Sequence, residues 1–344
     1  DELPGAATRP EDFALFSERQ YRTDGFRVRP FTRETRVRWV RGHSLVHDRP
    51  TYVPAAFVYV PYRLAPGEAP IHDLISTGLA AGPTVAAAAY RGLVEAVERD
   101  AFMIVWRNRL PRPRIELDGL RDPLVEPLLR AFAGVPVRLD AFLLSVDVDV
   151  HVVLVRVTGD PERPPLVIIG LGADLDPRRA LALALEEAGL GFVAFRRVVA
   201  AERGYRPEPG YRDLVDLGRH ALAHALDPAL RRSTEFLERD GAVVRLGELP
   251  DRSSASAVRN LRTAVAAVAA VGLDVVAVDL TTADVDDAGF KVVRCVVPGF
   301  QPLDVNHNEQ HLGGRRLYEV PYRLGLVARP RREDELNPDP HPFP

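Results

Sequence analysis

The amino-acid sequence predicts an α+β or mixed α/β fold. Runs rich in β-branched and aromatic residues recur along the chain and alternate with longer segments of helical period. Of the 344 residues, 46% are hydrophobic and 27% charged, enough for a substantial core in one large or two ordinary domains. No internal repeat is visible, and compositional bias is confined to the last residues, 331–344.

The elements follow in order. The opening thirty or so residues are mixed and poorly periodic. "TRVRWVRGHSLV" (35–46) and "TYVPAAFVYVPYRL" (51–64) read as strands, the second punctuated by proline. Residues 66–75 form a loop containing Pro and Gly. Pro83 stands at a helix entry, where its missing N–H costs nothing, and the helix runs from Thr84 to about Arg107. A second strand block comprises "VPVRLDAFLLSVDVDVHVVLVRV" (135–157) and "PPLVIIGLGA" (164–173). A helix over Pro177–Glu202 is expected to be interrupted at "GLG" (189–191). Helical segments near 211–226 and 254–271 precede the strands "LDVVAVDLT" (273–281) and "KVVRCVVPG" (291–299). The tail "RREDELNPDPHPFP" (331–344) is charged and then proline-rich, so it is expected to be extended rather than helical.

Composition excludes several function classes. A net charge of -3, from 45 Lys+Arg against 48 Asp+Glu, provides no basic field for nucleic-acid phosphates. No apolar run approaches the roughly 20 residues that cross a bilayer, and "DELPGAATRPEDF" lacks the regions of a signal peptide. These features indicate a cytoplasmic soluble protein. Cys295 is the single cysteine, which rules out an internal disulfide and a cysteine-based zinc site. Lys291 is the single lysine and follows "DDAGF", so a Walker A loop is excluded, and the same scarcity argues against a Schiff-base lysine.

Among residues that could carry chemistry, Ala87, Arg91, Glu95 and Glu98 fall on one helical stripe with Arg99 beside it. Glu95 and Glu98, one turn apart, are suitable oxygen ligands for Mg2+. The same spacing also describes an ordinary solvated pair, with Arg91–Glu95 as a surface ion pair. His220 and His224 in "HALAH" have zinc-ligand spacing without the metalloprotease glutamate, and on an Ala/Leu-rich helix read equally as half-buried packing residues. "NHNEQH" (306–311) reads as a loop cap or turn, and "GLGADLDP" (170–177) as a glycine turn after a strand without the full dinucleotide fingerprint. No G-x-S-x-G elbow is present, and Cys295 inside an apolar strand reads as an inert core residue.

The segment "STGLAAGPT…YRGLVEAVERDAFMIVWRNRLPRP" (76–113) resembles the second ATP-site segment of the YcaO superfamily, and most of all the azoline-forming, SagD-like cyclodehydratases of thiazole/oxazole-modified peptide pathways. The matching positions are Ser76, Gly78, Gly82, Thr84, Glu95, Glu98, Arg99, Asp100, Trp106 and Asn108. "LFSERQY" (15–21), "VPAAFVYVPY" (53–62) and "VVPGFQPL" (296–303) resemble other family segments, and "ELNPDPHPFP" resembles the proline-rich C-terminus of the azoline-forming branch.

The resemblance implies a YcaO-like fold of mixed and antiparallel sheets packed with helices, with residues 1–330 as the domain and 331–344 as its tail. It implies ATP and Mg2+ as cofactors, and phosphorylation of an amide oxygen after attack by a substrate Cys, Ser or Thr. The product is a thiazoline or (methyl)oxazoline in a ribosomally made precursor peptide. Glu95 and Glu98 become metal ligands, Thr84, Arg91, Arg99 and Glu187 nucleotide or phosphate ligands, and the carboxylate of Pro344 a catalytic base. A leader-binding, E1-like partner protein and a homodimer are the implied associations.

Departures fall on the phosphate and metal ligands. Pro83, Ala87 and Arg91 stand where family members usually carry asparagine, glutamate and glutamine, and Leu183 and Leu190 stand where arginine and glutamine are usual; Glu187 is kept. The family's first ATP-site helix normally precedes the "LFSERQY" segment, so an N-terminal part or second chain is expected to supply that glutamate pair. Ala87 offers no oxygen, and Arg91 can either neutralise Glu95 or contact a phosphate itself. Two alternatives to cyclodehydration therefore stand beside it: a non-catalytic YcaO scaffold that binds peptide or partner proteins, and a thioamide- or amidine-forming enzyme, a branch that generally lacks the proline-rich terminus.

Overall fold

A computed structural model describes residues 3–160, 162–239 and 241–344. Strand β1 is Ala6–Ala7 and helix α1 Glu18–Tyr21; a hairpin follows, with β2 Trp39–Ser44 and β3 Arg49–Pro54. Strand β4, Leu79–Gly82, runs into α2, Val85–Arg107. Next come β5 Arg114–Ile115, α3 Glu126–Ala131, β6 Arg138–Leu143, β7 His151–Thr158 and β8 Val167–Asp174. Helices α4 Pro177–Ala201, α5 Leu217–Leu226 and α6 Pro228–Arg232 lead to β9 Val243–Val244 and α7 Ala257–Ala270. The chain closes with β10 Val276–Asp279, α8 Ala283–Asp287, β11 Lys291–Val296 and α9 Arg315–Arg323.

Two mixed sheets result, one in the order β1-β3-β2-β10-β11-β4 and one in the order β8-β7-β6-β5-β9. Pairing is antiparallel except for the short edges β1–β3 and β5–β9. Helix α2 packs against β4 and β11 of the first sheet and against β7 and β8 of the second. It is buried along nearly all of Ala88–Arg107, which is why it carries little amphipathic pattern. Strands β7 and β8 are covered on both faces and read as continuous hydrophobic runs. Val152, Leu154, Ile169 and Leu171 face the α2 core. Val153, Val155, Val157 and Ile168 join Ala180, Leu181, Ala184 and Ala188 of α4 in a second core.

Three sequence expectations are corrected by this packing. The strand begun at Thr51 ends at Pro54, and Ala55–Phe57 is a buried 3-10 turn. "GLGADLDP" is not a turn: Gly170 and Gly172 lie inside β8, where a Cβ would fall 2.4 Å from the Ala184 carbonyl and 2.2 Å from the Ala180 carbonyl. These glycines let α4 lie almost directly on the sheet. Helix α4 in turn is unbroken through Gly189–Gly191. The propensity cost of those glycines, about 1 kcal/mol each, is offset by the packing of Ala180, Ala184 and Ala188.

The tail is extended after a 3-10 turn at Glu333–Glu335, as expected, but it is also built into the body. Asn337 donates through N–H to the Arg107 carbonyl at 2.7 Å and through Nδ2 to the Trp106 carbonyl at 3.1 Å. Trp106 Nε1 donates to the Asp339 carbonyl at 3.1 Å. His224 Nε2 meets the Pro340 carbonyl at 2.9 Å and His220 Nδ1 the His341 carbonyl at 3.2 Å. Both histidines are fully buried rather than half-buried. "HALAH" is therefore the receptor of the tail. "NHNEQH" forms a 3-10 turn capped by Asn306, as its composition suggests.

Candidate functional site

Thr84 caps α2: its Oγ1 accepts the Ala87 N–H at 3.1 Å, and both it and Arg91 are exposed. About two turns further, Gly92 and Gly78 bring the "STG" turn directly onto the helix. A Cβ on Gly92 would lie 2.3 Å from the Gly78 carbonyl oxygen. Gly78 has φ +85°, and a Cβ there would lie 2.2 Å from the Cys295 carbonyl. This close approach aims the Gly78 N–H at Glu95 Oε2, 3.1 Å away.

Below that contact the charged residues gather. Arg99 Nη2 stands 3.7 Å from Glu95 Oε1 and Nη1 3.2 Å from Glu98 Oε1. Glu187 enters from α4, its Oε2 accepting the Leu171 N–H at 2.5 Å. The Arg99 guanidinium lies 3.9 Å over the Phe343 ring. Pro344, half-buried, follows directly. Asp100, next on the helix, accepts the Gln301 N–H at 2.8 Å and is paired with Arg316 at 2.6 Å, which fastens both "VVPGFQPL" and α9 to α2.

The electrostatics of this cluster are unbalanced. Burial pushes Glu98 up to about 8; Arg99 opposes the rise, while Glu187 and Glu95 add to it. Burial raises Glu187 as well, against Arg99 and the Leu171 N–H and with the help of Glu95. Carboxylates thus outnumber the cations among them, a pattern characteristic of functional sites.

Comparison with known proteins decides the family. The family model described as YcaO cyclodehydratase, ATP- and Mg2+-binding, matches residues 1–301. This chain belongs to the YcaO family. A solved heterocyclase in complex with substrate and cofactor is 25% identical, with a TM-score of 0.83 over 99% of this chain and 44% of its own. The heterocyclase TruD is also 25% identical, with a TM-score of 0.78 over 98% of this chain and 46% of its own. The YcaO from Methanopyrus kandleri bound with AMPPCP and Mg2+ is 27% identical, with a TM-score of 0.61 over 80% of this chain and 69% of its own. The chain spans less than half the length of the two heterocyclase chains.

Of the residues singled out from the YcaO resemblance, the fold brings Glu95, Glu98, Arg99 and Glu187 together and sets Phe343–Pro344 beside them. Thr84 and Arg91 stay apart on the exposed helix start, and Arg91 Nη1 donates to the Ala81 carbonyl at 3.0 Å rather than to Glu95. Sequence reasoning missed Phe343 as the floor under Arg99. It also missed Arg294, whose charge acts on the Glu95 side of the cluster. The paired glycines 78 and 92 were the available signal for the Glu95–Gly78 contact.

The donors suit Mg2+ on charge, because Glu98 and Glu187 are raised by burial, a penalty that a bound cation would offset. Among the described residues no three ligating side chains form a closed metal cluster. Mg2+ does not require one, since it commonly takes one or two carboxylates and completes its shell with phosphate oxygens and water.

A prediction follows for Glu98. Its folded-state value lies above the ordinary carboxylate range, so its ionisation opposes folding as pH rises from about 4.3 towards 8. Glu98→Gln is expected to stabilise the free protein by a few kcal/mol at pH 9 and to change it little at pH 5. Urea titrations at both pH values measure the effect. Lower stability at pH 9 would contradict the charge imbalance.

Proposed function

We propose that this chain takes part in ATP-dependent cyclodehydration of Cys, Ser or Thr in a ribosomally made peptide, yielding thiazoline or (methyl)oxazoline. The observation that carries this reading is Arg99, flanked by Glu95 and Glu98 with Glu187 across and the C-terminal Phe343 beneath it. Glu95 and Glu98 would hold Mg2+, Arg99 and Glu187 would line the nucleotide phosphates, and Thr84 and Arg91, which stand apart at the exposed helix start, would contact them only once Arg91 leaves the Ala81 carbonyl. ATP, when bound, supplies the phosphoryl group that turns the amide oxygen into a leaving group. The substrate brings its own nucleophile, which accords with a buried Cys295 pushed up to about 12. The tail, 331–344, is anchored along its length beside the 1–330 domain and would hold the Pro344 carboxylate as base at the reacting amide. A precursor peptide, a leader-binding partner protein and a second copy of the chain are the associations that this reading entails.

Ala87 and Arg91 favour a second reading, a YcaO scaffold that binds peptide or partner without turning over ATP. Calorimetry with ATP and Mg2+ separates the two. As an enzyme, the chain is expected to bind nucleotide, and Arg91→Gln to weaken it at least tenfold, the loss of one charge-assisted contact being worth about 1.5–3 kcal/mol. No binding by the native chain, with affinity appearing only when Ala87→Glu is combined with Arg91→Gln, establishes the scaffold instead. The proline-rich tail and its anchorage support azoline formation over thioamide or amidine chemistry; heterocycle formation that survives deletion of Pro340–Pro344 removes that support.

A further inference from the structure

A second feature lies beside β11. Between the "STG" turn, β11 and the loop after it is a cavity of about 80 Å³, walled by Phe13, Phe57 and Ala96. Phe13 and Phe57 stack at 4.3 Å, and His72 stacks on Phe57 at 4.6 Å. Two side chains lining this cavity carry buried nitrogens without a hydrogen bond, Arg294 at Nε and Nη1 and His72 at Nδ1. Native interiors satisfy the large majority of such atoms, so their presence beside one apolar-walled cavity calls for a partner.

Arg294 identifies what kind of group that is. It is 4% exposed, and among the described residues its side chain's one hydrogen bond runs from Nη2 to the Ile75 carbonyl at 2.9 Å. Glu95 acts on it electrostatically, but among the described residues it makes no ion pair. A buried guanidinium with no carboxylate in direct contact is disfavoured, and an anion that reaches it relieves the penalty. We propose that this cavity is a binding site for a carboxylate group, held by Arg294 and flanked by His72. The single formal charge of a carboxylate matches one guanidinium, and its planar pair of oxygens suits guanidinium donors. A dianionic phosphate would bring a second charge against the aromatic walls. The cavity has room for a carboxylate with its attached carbon, as it has for more than one water molecule. The proposal rests on this cavity and does not require nucleotide binding at Glu95 and Glu98, although Arg294 also acts on Glu95.

Thermal denaturation of the whole chain in rising sodium acetate, at ionic strength held constant with sodium chloride, tests it. Acetate is expected to raise the midpoint saturably, acetamide to leave it unchanged, and Arg294→Met to weaken the acetate effect at least tenfold. Two carboxylate sources are separated by comparing acetate with N-acetyl-aspartic amide: tighter binding of the latter assigns the site to a peptide side chain, and tighter binding of acetate to a small free acid. Equal responses to acetate and acetamide, a stronger response to inorganic phosphate than to acetate, or no response of the native chain overturn the proposal. The native-chain comparisons decide it even where Arg294→Met fails to fold. AMPPCP binding with Mg2+, followed in the same preparation, reports on the nucleotide site separately.

Discussion

Arg107→Met is expected to destabilise the protein by about 3–5 kcal/mol, the range found when one partner of a buried ion pair is removed. Arg107 and Asp304 are each 1% exposed, with Nη2 and Oδ2 2.5 Å apart. Arg107 Nη1 also donates to the Asn337 carbonyl at 2.8 Å, so the same guanidinium joins the end of α2 to the tail. On its other oxygen Asp304 accepts the His311 N–H at 2.7 Å and faces His311 Nδ1 at 3.0 Å. These partners, Arg107 foremost, hold the Asp304 carboxyl well below the usual carboxylate range although burial alone would raise it. Without Arg107 the aspartate is left charged and buried, or is protonated at a cost of similar size. Urea denaturation should show a lower midpoint with an unchanged slope. Adding Asp304→Asn should recover part of the loss, because the unpaired charge is then gone. A loss under about 1 kcal/mol, the level of an exposed pair, would mean that the pair is not what ties the tail to α2.

Stability is also expected to fall by several kcal/mol between pH 6.5 and pH 4. His224 and His307 are pushed down to about 4 and His341 to about 3, and His220 lies well below its ordinary value, in each case because burial disfavours the imidazolium. Unfolded histidines take up protons near 6.5. Below that pH the unfolded chain binds protons that the folded chain refuses, so stability declines as pH falls, until the folded histidines titrate in their turn. A single histidine displaced from about 6.5 to about 4 accounts for about 3 kcal/mol by pH 4. Glu98, Glu187 and Asp100 act in the opposite sense, being raised by burial. Their protons are held by the folded chain, which limits the acid loss and moves the stability maximum towards neutral pH. Denaturant titrations at pH 7, 6, 5 and 4 give the slope, and His224→Gln with His341→Gln should flatten it. An unchanged slope in that double variant would show that the histidines around the tail do not set the acid limit.

The candidate site was partly legible before any fold was known. The i, i+3 spacing of Glu95 and Glu98 placed them on one helical face, and the structure has them on either side of Arg99. The spacing could not say whether that face meets solvent. It is instead closed by Glu187 and Phe343, which lie far away in sequence. The role of "HALAH" was hidden for the same reason. An i, i+4 histidine pair offers the same two rings to a zinc ion or to peptide carbonyls, and the choice falls to the residues opposite, here Pro340 and His341. Arg294 carried no sequence signal, since its importance lies in partners that it lacks.

What the sequence determined by itself is local. Thr84 caps the helix, which begins at Val85 and ends at Arg107, because capping, the placement of proline and helix propensity act within a few residues. The hydrophobic runs likewise set the strands around Val152–Val157 and Val167–Ala173. Tertiary structure alone decided that Gly170 and Gly172 serve close helix–sheet contact, that "GLG" continues a helix, that a proline-rich tail becomes core, and that Glu98 is displaced towards neutral pH. Each of these depends on which surface lies opposite, and short-range sequence rules contain no information about surfaces that meet only when the whole chain has folded.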